Sequence, residues 1–212
     1  MVSQKSDRLG VPVPNWAPPP SPDKTVWAEK MQGRYVRLEP LKAALHCDDL
    51  FAAFAADTKN QIWDYLPYGP FATAADLADW MHATCTKSDP YFFAIIDQAK
   101  NRAVGVASYL RVNPDSGSIV VGHINFAPLL QSTIAATEAM YLMMRWAFMA
   151  GYRRYEWKCN ALNLESRRAA QRLGLSYEGV FRQATISKGR NRDTAWFAAI
   201  DVEWPSLRAV FE

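Results

Sequence analysis

Cysteine is scarce in this chain: 212 residues contain three, Cys47, Cys85 and Cys159, widely spaced and with no Cys-x-x-Cys pair. With only His46, His82 and His123 to add, neither a disulfide framework nor a metal site is indicated, and the thiols read as reduced and mostly structural. An excess of one charge is lacking too. The net charge of +3 and pI of 8.7 come without the dense Lys/Arg stripe of a nucleic-acid-binding domain, so no nucleic-acid partner is expected. Long uncharged apolar runs are also missing. The most apolar stretch is cut by Glu138 and Arg145, and the first residues, Met1-Val-Ser-Gln-Lys-Ser-Asp-Arg, have no apolar h-region. Neither a membrane span nor secretion is therefore expected, which leaves the cytoplasm as the expected compartment.

What is present suffices for one core, since 50% of the residues are hydrophobic. Residues 1–32 form a proline-rich arm. Val11-Pro-Val-Pro-Asn-Trp-Ala-Pro-Pro-Pro-Ser-Pro22 is held extended because proline fixes φ and restricts its predecessor, and Trp16 and Trp27 are candidate anchors for it. Residues 33–212 read as one domain with no internal repeat.

Hydrophobic periodicity and turn signals place strands at 35–38, 91–97, 103–112, 118–126, 154–159, 177–187 and 194–202. Helices are expected at 45–56, 73–84 and 163–173. A longer one should end at Gly151, because Ala139, Leu142, Met143, Trp146, Ala147 and Ala150 share one apolar face. The order is βααβββαβαββ, an α/β (α+β) arrangement: a mixed, mostly antiparallel sheet with helices on both faces. Residues 118–151 organise the rest. A strand, a break at Ala127-Pro128 and a short loop lead into the long helix, whose unpaired N–H groups and dipole make an anion site without any basic side chain.

The loop and helix start, Gln131-Ser132-Thr133-Ile134-Ala135-Ala136-Thr137-Glu138-Ala139, resemble the pyrophosphate-binding Gln/Arg-x-x-Gly-x-Gly/Ala segment of GNAT-superfamily acetyltransferases. Ile134 stands at the first glycine position and Ala136 at the second. A second segment runs from Asn163-Leu-Glu-Ser166 through Arg172-Leu-Gly174 to Glu178-Gly179, and is similar to the ribosomal-protein N-acetyltransferase (RimJ/RimL-like) branch. The resemblance extends over roughly residues 33–204. The resemblance implies the GNAT fold with a V-shaped splay between two central strands, acetyl-CoA as cofactor, and transfer to an amine acceptor that is a small molecule or a protein N-terminus. Polyamine or antibiotic acetylation, and non-catalytic acyl-CoA binding, remain as alternatives. Oligomeric state is left open.

Acetyl transfer requires a held cofactor, a polarised carbonyl, a protonated leaving thiolate and an unprotonated amine. By the resemblance, the backbone of Gln131, Ser132, Thr133, Ile134, Ala135, Ala136 and Thr137 holds the cofactor. The Phe126 amide polarises the carbonyl from a bulge expected at Phe126-Ala127. Ser166 serves the leaving sulfur, with Asn163 beside it, because Ala170 occupies the position where many relatives carry tyrosine. Read alone, Ser166 is a solvent-facing helix residue and Asn163 an N-cap. Val120 and Thr185 stand where relatives carry carboxylates, which leaves His123 as candidate base, or else a histidine bonded within the sheet; Glu178 and Asp193 are more distant candidates. His123 and Asn125 share a strand face by alternation. The ring-rich loop containing Trp63, Tyr65 and Tyr68, together with Arg182, is expected to border the acceptor.

Overall fold

The computed structural model describes residues 10, 12–13, 15–19, 30–85 and 87–212, so Trp27 lies outside the described residues. Among the described residues, eight strands form one sheet in the order β1-β2-β3-β4-β5-β6-β8-β7: β1 Met31–Gln32, β2 Val36–Pro40, β3 Tyr91–Asp97, β4 Arg102–Asn113, β5 Ser118–Phe126, β6 Arg154–Asn160, β7 Ser176–Ser187 and β8 Arg190–Ile200. All neighbours are antiparallel except β5 and β6. The helices are α1 Ala43–Phe54, α2 Ala74–Cys85, α3 Ile134–Met149, α4 Leu164–Arg172 and α5 Trp204–Phe211. The expected order therefore holds within the sheet, with β1 added before it and α5 after it.

Strand alternation divides the core in two. Phe92, Ala94, Ile96 and Val106 bury one face against Leu50, Phe54, Leu77 and Met81 of α1 and α2. Phe93, Ile95, Tyr109, Ile119, Val121, Tyr155 and Trp157 bury the other against α3, α4 and α5. The helices start where the sequence provides caps. Thr73 and Asp76 exchange side-chain and backbone hydrogen bonds at the head of α2, while the Thr133 hydroxyl accepts the Ala136 amide (3.1 Å) at the head of α3. Trp16 lies across the domain edge, its indole N–H directed to the Gly151 carbonyl and its ring under Arg153.

One carboxylate ties the two ends of this layout together. Glu138, in the second turn of α3, accepts the backbone N–H groups of Arg34, Tyr35 and Val36 at 2.7, 2.7 and 2.8 Å. Gly33 is required there, because a Cβ would stand 2.5 Å from the Glu138 carboxyl carbon.

The feature that makes a site is the parting of β5 from β6. They pair from Ser118↔Arg154 to Val121↔Trp157, after which β5 continues to Phe126 and β6 to Asn160 with no bridge between them. The divergence begins at Gly122 and a bulge. On β4 the register passes from Ser108↔Gly122 to Val106↔Asn125, so His123 and Ile124 are accommodated against Ala107, and His123 takes a φ of 50°. The bulge thus lies three residues earlier in the strand than Pro128 led the sequence reading to expect.

Candidate active site

The loop entering α3 offers backbone donors. Leu130 and Gln131 give their amides to the Ala127 carbonyl, and Ala136 and Thr137 give theirs to Thr133. Between them, the amides of Ser132, Thr133, Ile134 and Ala135 have no hydrogen-bond partner among the described residues. Four consecutive free N–H groups at the positive end of a helix fit a pyrophosphate. Ile134 is 68% exposed, so its side chain is not packed into the turn. Ala136 is buried, which explains why a small residue is needed there. The Gln131 side chain closes the loop by donating to the Phe126 carbonyl at 3.0 Å.

Phe126 faces the splay through its backbone. The Ala127 amide bonds to the Val104 carbonyl, which makes Gly105↔Phe126 a pair whose own N–H and C=O groups point away from each other. The Phe126 N–H is therefore aimed from β5 toward the gap left by β6, although the bulge itself lies elsewhere.

Ser166 comes to the same gap from the first turn of α4. Asn163 is the N-cap, its Oδ1 accepting the Ser166 amide at 3.0 Å. The buried Trp157 indole donates to Ser166 Oγ at 2.9 Å, which occupies a lone pair and leaves the hydroxyl proton to serve another acceptor. The Cys159 thiol lies beside it. Burial raises the pKa of that thiol, and the Ser166 hydroxyl pulls the other way.

On the α1/α2 face the sequence reading is partly redrawn. Tyr68 stacks on His123 with ring centroids 5.6 Å apart, and Phe92 approaches the same imidazole at 5.1 Å. Burial, reinforced by the Arg192 charge and opposed by Asp89, lowers His123 to about 4, so the ring is neutral at physiological pH. Its Nδ1, both amide atoms of Asn125 and the Tyr68 hydroxyl are buried without a partner. His123 is thus not bonded within the sheet, but it is a weaker base than its residue type implied. Trp63 is a core residue instead of an acceptor contact: it packs edge-on to Phe54 and Phe71, and a Cβ on Gly69 would strike its ring. Tyr65 bridges the gap, its hydroxyl reaching the Leu162 carbonyl at 3.4 Å. Arg182 stands apart from the His123 cluster, in an open depression with Asn191 and Asp193. Asp193 is engaged by the Gln183 amide and Asn191, and Glu178 by Arg154, so neither carboxylate serves the cleft.

Two groups went unrecognised from sequence. Trp157 was read only as strand interior. Arg192 falls between the strands expected at 177–187 and 194–202, whereas β8 begins at Arg190 and carries Arg192, Thr194 and Trp196 on one face. Lys188, in the connection between β7 and β8, donates to the Trp63 carbonyl at 2.8 Å and so clasps the hairpin to the ring-rich loop. Among the described residues no cluster of His, Cys, Asp or Glu could hold a metal, and no helix is long and apolar enough to cross a membrane.

Comparison with known proteins agrees with this geometry. The profile described as "Acetyltransferase (GNAT) domain" matches residues 36–176. A GCN5-related N-acetyltransferase from Brucella melitensis is 44% identical with a TM-score of 0.89, over 94% of this chain and 89% of that one. A GNAT-family protein from Chromobacterium violaceum is 37% identical with a TM-score of 0.82, over 91% and 94%. The fold is shared with RimL, a ribosomal L7/L12 alpha-N-protein acetyltransferase solved with coenzyme A, at 19% identity and a TM-score of 0.68, over 82% and 99%. No curated protein matches the sequence. On the matched profile and these two relatives, the chain belongs to the GNAT family of acetyltransferases.

Proposed function

We propose that the protein transfers the acetyl group of acetyl-CoA to a primary amine by direct attack, without an acyl-enzyme. The observation that carries this is the row of four unpaired amides, Ser132 to Ala135, at the head of α3 beside the splay of β5 and β6. Those amides, with the Ser132 and Thr133 hydroxyls, would hold the pyrophosphate, and the gap would admit the pantetheine arm. Acetyl-CoA supplies an activated carbonyl: a C–N bond forms as the C–S bond breaks, and the proton lost by the amine balances the one gained by the thiolate.

The chain's residues divide the work. The Phe126 N–H stabilises the charge that develops on the carbonyl oxygen, and the Ser166 hydroxyl, oriented by Trp157, donates to the departing sulfur. His123 accepts a hydrogen bond from the incoming amine through Nδ1 and keeps its lone pair turned to the carbonyl. With a pKa near 4 it orients the amine instead of retaining its proton, which passes on to water. Such a site suits an acceptor already partly neutral at pH 7, such as a protein or peptide α-amino group or another weakly basic amine. The RimL likeness supports an α-amine.

The test is acetyl-CoA turnover against a mixed panel of peptides and small amines, following both thiol release and acetylated product. Thiol release coupled to product supports transfer. Binding of acetyl-CoA with the thioester left intact under every acceptor would favour the second reading, a non-catalytic acyl-CoA-binding module, which Val120 and Thr185 at the two acidic positions favour.

A further inference from the structure

Arg192 forms no ion pair among the described residues, and its Nε is buried without a hydrogen-bond partner. Its cross-strand neighbour is Thr185, which cannot neutralise it. Other cations near the gap are engaged: Lys158 by Glu156 at 2.9 Å, and Lys188 by the Trp63 carbonyl. Strand alternation puts Arg192 on the face opposite Ala195 and Phe197, hence on the α1/α2 side, just past the last pairing of β8 with β6 at Asn160↔Thr194. Its charge is close enough to act on His123 across the splay.

The unpaired atoms in this cleft are sorted by chemistry. On the β5 side His123 Nδ1 and Asn125 Oδ1 are acceptors that match the N–H groups of an amine, beside Asn125 Nδ2 and the Tyr68 hydroxyl, which can donate to the acceptor's other polar atoms. On the β8 side stands a guanidinium, which matches a carboxylate bidentately. Buried polar atoms are normally satisfied, so several unsatisfied ones of complementary type around one gap mark a place where a ligand satisfies them. A single guanidinium also suits a monoanion better than a phosphate dianion, and it repels a polyamine.

From this arrangement we infer that the acceptor is a small zwitterion, an amino acid whose carboxylate is held by Arg192 while its amine, a few bonds away, lies on His123 and Asn125. The inference rests on the transferase reading and names its substrate class.

The experiment compares the common L-amino acids with their α-amides, with aminophosphonates, and with Gly-extended dipeptides in which the carboxylate is displaced. Each is assayed with the full-length protein and acetyl-CoA, and by calorimetry on the CoA-loaded protein. For the preferred amino acid, with rates expressed per neutral amine because the free acid's amine is more basic than the amide's, the wild type should favour the free acid over the amide in kcat/KM by about 10- to 100-fold, as expected for a charge-assisted contact. In Arg192→Met that ratio should fall toward one, and Arg192→Lys should recover part of it. Thr185→Glu, which supplies the guanidinium with an internal partner, should also collapse it, with a normal CoA thermal shift as the check on folding. A ratio near one in the wild type, or one unmoved in Arg192→Met, overturns the inference while leaving acetyl transfer intact. A preference for the phosphonate or the dipeptide over the amino acid overturns it as well. Arg192-dependent binding of the amino acid without turnover sustains it and instead removes the transferase reading.

Discussion

Replacing Ser166 with alanine separates a catalytic from a structural role, because its oxygen is engaged on the protein side by the Trp157 indole N–H at 2.9 Å. Truncation leaves that N–H buried and unpaired, which costs about 1–3 kcal/mol. At about 2–4 °C per kcal/mol for a chain of this size, the melting temperature should fall by roughly 2–12 °C. If the hydroxyl also donates to the departing sulfur, kcat should fall by a factor on the order of 10 to 10³ with acetyl-CoA affinity nearly unchanged. Trp157→Phe distinguishes the two losses, since it removes the stranded donor. In that background Ser166→Ala should cost little further stability, yet the deficit in kcat should persist. Stopped-flow thiol release and thermal melts on the four proteins of the cycle give both numbers. Wild-type turnover in Ser166→Ala refutes the role outright. A kcat deficit that disappears in the Trp157→Phe background shows that the serine only props the indole.

Ala136→Leu should fill the turn behind the free amides and abolish the stabilisation of about 2.7 kcal/mol that coenzyme A confers at 100 times its dissociation constant; an unchanged thermal shift removes the loop from the site. His123, lowered to about 4 beneath Tyr68 and Phe92 and between Arg192 and Asp89, is protonated below about 6.5 in the unfolded chain. Its contribution to stability should be complete above pH 6.5 and fade on acidification toward pH 4, and His123→Gln should flatten that slope in urea titrations; a free-enzyme kcat/KM limb near pH 6.5 that disappears in His123→Gln would contradict the assignment. An α-amine is on the order of 10% neutral at pH 7 and a lysine amine about 0.04%, so a free peptide N-terminus should exceed an N-blocked lysine peptide in kcat/KM at pH 7. Equal rates would reveal a strong base overlooked in the cleft.

Periodicity and punctuation made the layers legible. The apolar face running from Ala139 to Ala150 found α3, and the strands expected at 103–112 and 118–126 found β4 and β5, because both signals are local. The splay followed only from the family resemblance. The two residues of β1 form a strand because β2 pairs with them across a turn whose amides Glu138 holds, and nothing within Met31–Gln32 announces that. Helix α5 escaped for a similar reason: it is eight residues long, and its Trp204 is stabilised by stacking on Tyr141 and Phe148 from α3. The bulge was misplaced because Pro128 is a visible strand terminator, whereas the positive φ of His123 is imposed by pairing with β4. Arg192 illustrates a further limit, since a charged residue left between two expected strands has no predictable partner until the strand it belongs to is known.

The Glu138 clasp has a consequence for how the chain is made. Its partners are separated from it by 102 to 104 positions, so the first hairpin leaves the ribosome long before its acceptor exists. At about 5–20 residues per second, that interval is roughly 5–20 s, during which the Arg34, Tyr35 and Val36 amides have only water to bind. Non-local contacts of this kind form after the entropy of closing the intervening loop has been met, so the hairpin should dock late. The loop entering α3 and the hairpin of β1 and β2 would then lock together in one step, and a nascent protein would acquire its row of free amides and its sheet edge simultaneously.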